Sequence, residues 1–271
     1  MSIKNLTRED RLKNILLSEE ENRSENLQSI LYRRDKIVIG SVLTSLASLS
    51  ATRGMYAYFV EGDGEAMRRH FSVGSKLTLA SVGQDGGASP DLVSNFLYPL
   101  LSDDPFVIDG FSKIETPELT RDSNRPTTER FHVHMLQLAL RGEEKLLEAA
   151  IEKLSRNGKS PWRELSAKGK DFYSLLLARE KKGLEELIQS KAVEHRQGDV
   201  RMEMFLAGVS TIQAKICWRN GIPVEIESPW IPMKLMPICP LAHYDDEYEF
   251  LKPGWIPPAQ GFVGKLARWF K

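Results

Sequence analysis

Apolar residues recur at helical spacing along most of the chain, whereas no alternating pattern of the kind found in strands exceeds four residues. The clearest apolar stripe lies within residues 199–219 and consists of Met202, Phe205, Val209, Ile212 and Ile216, widened by Leu206. The dipeptide Asn220-Gly221 favours a left-handed helix C-cap, and Pro223 prevents the helix from continuing. The pattern therefore predicts a long helix that ends near residue 220, with Lys215 off its apolar face.

The residues that follow this helix are strongly apolar but rich in proline. The prolines remove amide donors and hold the chain extended or in single turns, and they are Pro229, Pro232, Pro237 and Pro240. Only residues 224–226 favour an edge strand, and Trp218 and Trp230 are expected in the core. Because an irregular apolar segment needs a surface to lie on, we predict a strap that covers the end of a helical array.

The N-terminal part of the chain predicts helices of a more polar kind. Residues 5–33 favour two short helices with a charged break at residues 19–21. Residues 37–50 predict a helix of small residues inside the domain, since small side chains allow close helix contact. Residues 83–90 are rich in glycine and predict a loop, and residues 112–128 are polar enough to predict an exposed loop.

Two segments in the middle of the chain resemble each other and predict a repeated helical hairpin. One spans residues 131–154 with its turn at Arg141-Gly142, and the other spans residues 172–193 with its turn at residues 180–182. The fold class predicted is all-α, an irregular helical bundle or small α-solenoid of hairpins with a proline-rich C-terminal strap. We assign residues 1–271 to a single helical domain, made of N-terminal helices (1–85), helical hairpins (90–195), the long helix and strap (199–251) and a C-terminal tail (252–271).

Charge is balanced over the whole chain but not along it. The 271 residues include 37 Lys and Arg and 37 Asp and Glu, a net charge of zero that argues against a general nucleic-acid binder. Acidic residues are concentrated in residues 91–122 and again in residues 245–249. The C-terminal stretch is short, basic and amphipathic, and we expect it to dock on the bundle rather than on a membrane.

The location predicted is the cytoplasm. The first residues carry charges throughout and lack the apolar core of a secretory signal, and the uncharged run at residues 37–52 is too short and serine-rich to cross a bilayer. The two cysteines, Cys217 and Cys239, are expected to be buried thiols rather than a disulfide.

Motifs that carry catalytic chemistry are missing from the sequence. It has no phosphate-binding glycine loop, no nucleophile elbow and no zinc-protease motif. His132 and His134 are two residues apart on a predicted helix and point away from each other, so they are assigned structural roles. His243 beside Asp245 and Asp246 is the one place where a metal ion or an acid–base pair is conceivable. We therefore expect no catalytic residue, no metal and no cofactor, with a metal-dependent enzyme as an alternative.

The chain resembles the immunity protein 49 family over roughly residues 90–252, and most strongly over residues 205–251. The resemblance lies in two charged hairpins (138–151 and 175–188), in AKICWRNG at residues 214–221 and VEIESPWIP at 224–232, and in the stretches at 235–240 and 248–251. These are mostly helical proteins encoded beside bacterial polymorphic toxins.

The resemblance implies that the protein neutralises a cognate toxin by tight binding, without catalysis. The acidic stretches favour a basic toxin such as a nuclease, and the lack of a secretory signal favours a toxin that acts in the cytosol. The partner contacts predicted combine acidic and aromatic side chains and are Asp103, Asp104, Asp109, Tyr244, Asp245, Asp246 and Tyr248. We expect no direct contact with nucleic acid or membrane. The alternative is a helical-repeat adaptor that binds another protein.

Overall fold

The computed structural model describes residues 6–192, 201 and 205–259, and these residues are helical or irregular, with no strand among them. The prediction of an all-α fold is confirmed. The chain forms two compact units, Met1–Ser89 with Leu241–Lys271, and Pro90–Pro240. The strap is therefore divided between the units, since the chain passes from the second to the first after Pro240.

The first unit is built on three helices, α1 (Arg8–Tyr32), α2 (Ile39–Phe59) and α3 (Gly64–Ser81). A capping box between Thr7 and Asp10 begins α1. The break predicted at residues 19–21 is wrong, because α1 runs straight through it. Glu19 accepts a hydrogen bond of 2.6 Å from Ser48, and Glu20 lies 2.6 Å from Arg53, so α2 supplies polar partners for the charges that suggested a break.

Small residues bring α2 and α3 into close contact. The sequence predicted such contact for the helix of small residues, which is α2. A Cβ atom on Gly54 would lie 2.5 Å from the ring of Phe71, and one on Gly74 would lie 3.1 Å from the carbonyl oxygen of Ala47. Neither site accepts a larger side chain without movement. The two helices therefore form a tightly packed pair against which α1 lies.

The second unit consists of shorter helices. They are α4 (Leu97–Ser102), α5 (Pro105–Ser112), α6 (Pro117–Asp122), α7 (Glu129–Arg141), α8 (Glu144–Asn157), α9 (Trp162–Ala167), α10 (Phe172–Leu177), α11 (Lys181–Lys191) and α12 (Gly208–Arg219). The two hairpins predicted are confirmed as α7–α8 and α10–α11, and Gly142 takes the left-handed C-cap with φ +68°. The exposed loop predicted at residues 112–128 is wrong, because it contains α6, which buries Leu119 and Asp122.

The long helix predicted from residue 199 is shorter in the structure. Residues 193–200 and 202–204, including Met202, lie outside the described residues. Leu206 and Ala207 are irregular, and α12 begins at Gly208. The predicted burial of two residues on this helix is also wrong. Val209, predicted on the apolar face, is 41% exposed, and Lys215, predicted off that face, is 0% exposed.

The strap is irregular, as its prolines predicted, apart from single 3-10 turns at Met233–Leu235 and Glu249–Leu251. The edge strand considered at residues 224–226 does not form. Trp218 and Trp230 are half-buried rather than fully in the core. Cys217 is a buried free thiol, whereas Cys239 is exposed and so departs from the prediction.

None of the helices within the described parts of the chain combines the length and the apolar character that crossing a membrane requires.

Candidate partner-binding site

Asp103 was predicted to face a partner, but the structure places it in the interior. It ends α4 with a left-handed backbone, φ 54°, and its side chain is 0% exposed. Lys215 of α12, equally buried, lies 2.8 Å away and donates two further hydrogen bonds, to the carbonyl oxygens of Leu235 and Pro237. The carboxylate also accepts the amide of Cys239 at 3.1 Å. This buried pair fastens the strap to the helices of the second unit and is not accessible to a partner.

The two other acidic candidates near α5 have different surroundings. Asp104 is 2% exposed and serves as the N-cap of α5, accepting the amide of Phe106 at 2.9 Å, which removes it from any contact surface. Asp109 is 60% exposed and pairs with Lys113 one turn later at 2.7 Å. Of the three, only Asp109 remains available to a partner.

The acidic residues near the end of the strap mostly bind cations of this chain. Asp246 lies 2.6 Å from Lys76 of α3. The hydroxyl of Tyr244 accepts the amide of Leu241, and its carbonyl oxygen accepts a hydrogen bond from Lys76. Tyr248, predicted as a partner contact, is 4% exposed and belongs to the core of the first unit. Of the contacts predicted in this segment, only Asp245 is mostly exposed, at 78%, and its ion pair is with the equally exposed His243.

Among the residues that the structure describes, the histidines show no arrangement that suits a metal ion. His243 and Asp245 form an exposed pair at 2.8 Å, and no group of three or more potential ligands occurs among the described residues. Burial lowers the pKa of both His132 and His134 below the ordinary value, as expected for histidines that pack against a helical core. The ring of His132 lies 5.2 Å from that of Trp162.

An acidic groove of about 640 Å³ lies between α11 and the first part of the strap. Its lining includes four glutamates and one lysine, and the lining residues are Lys181, Glu185, Glu186, Gln189, Glu225, Ile226, Glu227 and Met233. Lys181 lies 3.5 Å from Glu185, which leaves a net negative surface. We name this surface the acidic groove.

One wall of the acidic groove is an extended segment of the strap, in which buried and exposed residues alternate as in a strand, although the described part of the chain has no strand beside it. Ile222, Val224 and Ile226 are buried, whereas the residues between them are exposed. Side chains of α11 replace the missing neighbouring strand. Gln189 accepts the amide of Glu227 at 2.9 Å and donates to its carbonyl oxygen at 2.8 Å, and Glu185 accepts the amide of Glu225 at 2.8 Å.

This construction fixes the direction of the glutamate side chains. Since alternate residues of an extended segment point to opposite sides, burying Ile226 turns Glu225 and Glu227 outward. The sequence carried a signal for this, the alternation VEIE at residues 224–227, but the interpretation as an edge strand gave no reason to place α11 beside it.

A second cavity, of about 330 Å³, is polar, but its charged side chains largely neutralise each other. It lies beside α7 and is lined in part by His134, Gln137, Arg141 and Glu143. Arg141 is held by Glu143 at 2.9 Å and by the carbonyl oxygen of Ser112. Its strongest charges are thus already paired with each other, so it offers a partner less than the acidic groove does.

Comparison of the chain with protein-family models, with curated proteins and with solved structures found no match. The resemblance to the immunity protein 49 family therefore stays a prediction from the residues that carry it.

Proposed function

We propose that this protein is an immunity protein, which binds and neutralises a cognate bacterial toxin by covering it, without a reaction of its own. The proposal is supported by the resemblance of residues 205–251 to the immunity protein 49 family. On this proposal the protein acts in the cytoplasm, where it meets a toxin made by the same cell or delivered by a neighbour.

We propose that the acidic groove is the surface that contacts the toxin. Its glutamates stand on a helix and on an extended segment that is hydrogen-bonded to that helix, so the backbone that carries the charges is fixed before a partner arrives. Ile226 and Met233 add apolar surface beside them. A rigid acidic surface of this kind suits a basic partner and accelerates association by electrostatic attraction. A toxin that binds nucleic acid would present such a basic surface.

The acidic groove replaces most of the contacts predicted from sequence, because those side chains hold the chain itself together. Asp109, Tyr244 and Asp245 keep some exposure and stay predicted contacts. We place the main contact at Glu186, Glu225 and Glu227, since these are the exposed carboxylates of the acidic groove.

A survival assay with charge-reversed variants tests this proposal. Bacteria that express the product of the adjacent toxin gene are expected to grow only when the wild-type protein is present. Glu186→Lys combined with Glu227→Lys should reduce affinity for the toxin by at least roughly 10-fold and weaken rescue, because like charges would face each other.

The matched control carries the same change of charge on the other hairpin. Glu144 and Glu148 are exposed residues of α8, and the variant with both changed to Lys should rescue as the wild type does. Rescue by all three proteins would keep the immunity function but remove the acidic groove from the interface. No rescue by the wild type would contradict the function itself.

A further inference from the structure

The last part of the strap lies on the first unit as a peptide lies in a recognition groove. Residues 244–251 contact α1, α2 and α3, although they lie far from these helices in the sequence, and their only regular structure is the turn Glu249–Leu251. Each helix supplies one cation. These are Arg23 from α1, Arg53 from α2 and Lys76 from α3.

Two carboxylates of the segment bind these three cations. Asp246 lies 2.6 Å from Lys76, and Glu247 lies 2.9 Å from Arg53 and 3.1 Å from Arg23. The side chains of Lys76 and Arg53 are only 12% and 18% exposed, so these pairs are partly shielded from water. Partial burial strengthens such pairs relative to those on an open surface.

Apolar side chains follow directly after the acidic ones. Tyr248 inserts into the cluster formed by residues of α1, α2 and α3, among them Ile30, Leu46 and Leu77. Phe250 stacks on Tyr248 with a centroid distance of 5.2 Å and packs on the same cluster together with Leu251. The guanidinium of Arg23 lies 5.9 Å from the centre of the Tyr248 ring.

We propose that α1, α2 and α3 form a binding groove for an acidic, aromatic peptide, which residues 244–251 fill in cis and which a partner's segment of the same chemistry displaces. The pattern recognised is two acidic residues followed by an aromatic residue, any residue, a second aromatic residue and leucine, as in Asp246–Leu251. A buried aromatic anchor beside paired charges is the usual basis of such recognition. This proposal concerns a surface separate from the acidic groove and does not depend on the toxin.

The covalent tether explains why the groove is filled. A segment joined to its own binding site has an effective concentration in the millimolar range, so a free competitor binds only weakly until the cis contact is loosened. Ala242 and His243, which lead into the segment, are exposed and offer a place where it can swing away.

The test measures binding of a fluorescent peptide with the sequence of residues 243–256 to the full chain, by anisotropy. Two variants loosen the cis segment. Asp246→Asn with Glu247→Gln keeps its shape and removes the two charges that bind the cations of the helices, and Tyr248→Ala removes the anchor. Each variant should bind the peptide at least roughly 10-fold more tightly than the wild-type chain does, because the competing tethered segment is weakened.

A charge exchange makes the assignment specific to one contact. The Lys76→Glu chain should lose affinity for the original peptide and bind more tightly a peptide in which Asp246 is replaced by Lys. A peptide with Tyr248 replaced by Ala should bind every chain at least roughly 10-fold more weakly.

Two results would overturn the proposal. One is the absence of peptide binding by both loosened variants while circular dichroism shows that they are folded. The other is a dimeric wild-type chain together with variants that take up no peptide, which would assign the groove to exchange between copies of this chain.

Discussion

At the residue scale, two aspartates from the same acidic stretch of sequence each pair with a lysine, but in different surroundings. The side chains of Asp103 and Lys215 are 0% exposed, whereas those of Asp109 and Lys113 are 60% and 61% exposed. Replacing one partner of the buried pair leaves an uncompensated charge in the interior and also releases the strap carbonyls that Lys215 holds. Lys215→Met should therefore lower the free energy of unfolding by about 3–5 kcal/mol.

The exposed pair provides the control for this prediction. Lys113→Met removes the same charge from a pair in water, and it should change the free energy of unfolding by about 0–1 kcal/mol. Urea denaturation of both variants measures the difference. Equal small losses would contradict the role given to Lys215 in fastening the strap.

At the element scale, the contact between α2 and α3 depends on Gly54. Because Phe71 is 1% exposed and its ring would lie 2.5 Å from an added Cβ atom, Gly54→Ala forces a shift in the core. Overpacking costs about 1–3 kcal/mol, which should exceed the gain of about 1 kcal/mol in helix propensity. We expect a lower melting temperature.

Gly64, at the beginning of α3, is the matched control. An added Cβ there would meet only Arg68, at an ordinary distance of 3.5 Å. Gly64→Ala should leave the melting temperature unchanged or raise it, since no atom needs to move. A stable Gly54→Ala protein would show that the helices are less closely packed than described.

Local signals in the sequence predict the helical hairpins well, whereas partners far away in the chain cannot be predicted from them. The hairpins α7–α8 and α10–α11 follow from helical periodicity and glycine or charged turns, which are local signals. The burial of Asp103, Lys215 and Tyr248 was missed, because each is fixed by a residue far away in the chain and acidic or aromatic side chains give no local sign of such partners.

The acidic groove was missed for a related reason. The sequence suggested only an edge strand at residues 224–226, and nothing in it shows that side chains of Glu185 and Gln189 take the place of a neighbouring strand. Likewise, Glu19 and Glu20 suggested a break in α1 because their partners on α2 cannot be read from the local pattern.

At the scale of the whole molecule, the half-buried histidines make stability depend on pH. Burial lowers the folded-state pKa of His70, His132 and His134 below the ordinary 6.5. The unfolded chain then binds more protons than the folded one below that value, so the free energy of unfolding is highest above about pH 6.5 and falls as the pH decreases through the folded-state pKa values.

Urea denaturation at pH 7.5 and pH 5 measures this effect. His132→Gln should reduce the difference between the two pH values, because it removes one of the half-buried groups that gain a proton on unfolding. Equal stability of the wild type at both pH values would show that the histidines are not buried as described.

The most direct test of the proposed function is calorimetric titration of the purified protein with the inactive product of the adjacent toxin gene. The proposed function predicts a one-to-one complex whose dissociation constant is nanomolar or lower, which corresponds to a binding free energy of about −12 kcal/mol or more negative. It should weaken at high salt because the acidic groove contributes charge attraction. The absence of heat at micromolar concentrations of both folded proteins would contradict the proposal that this chain is an immunity protein for that toxin.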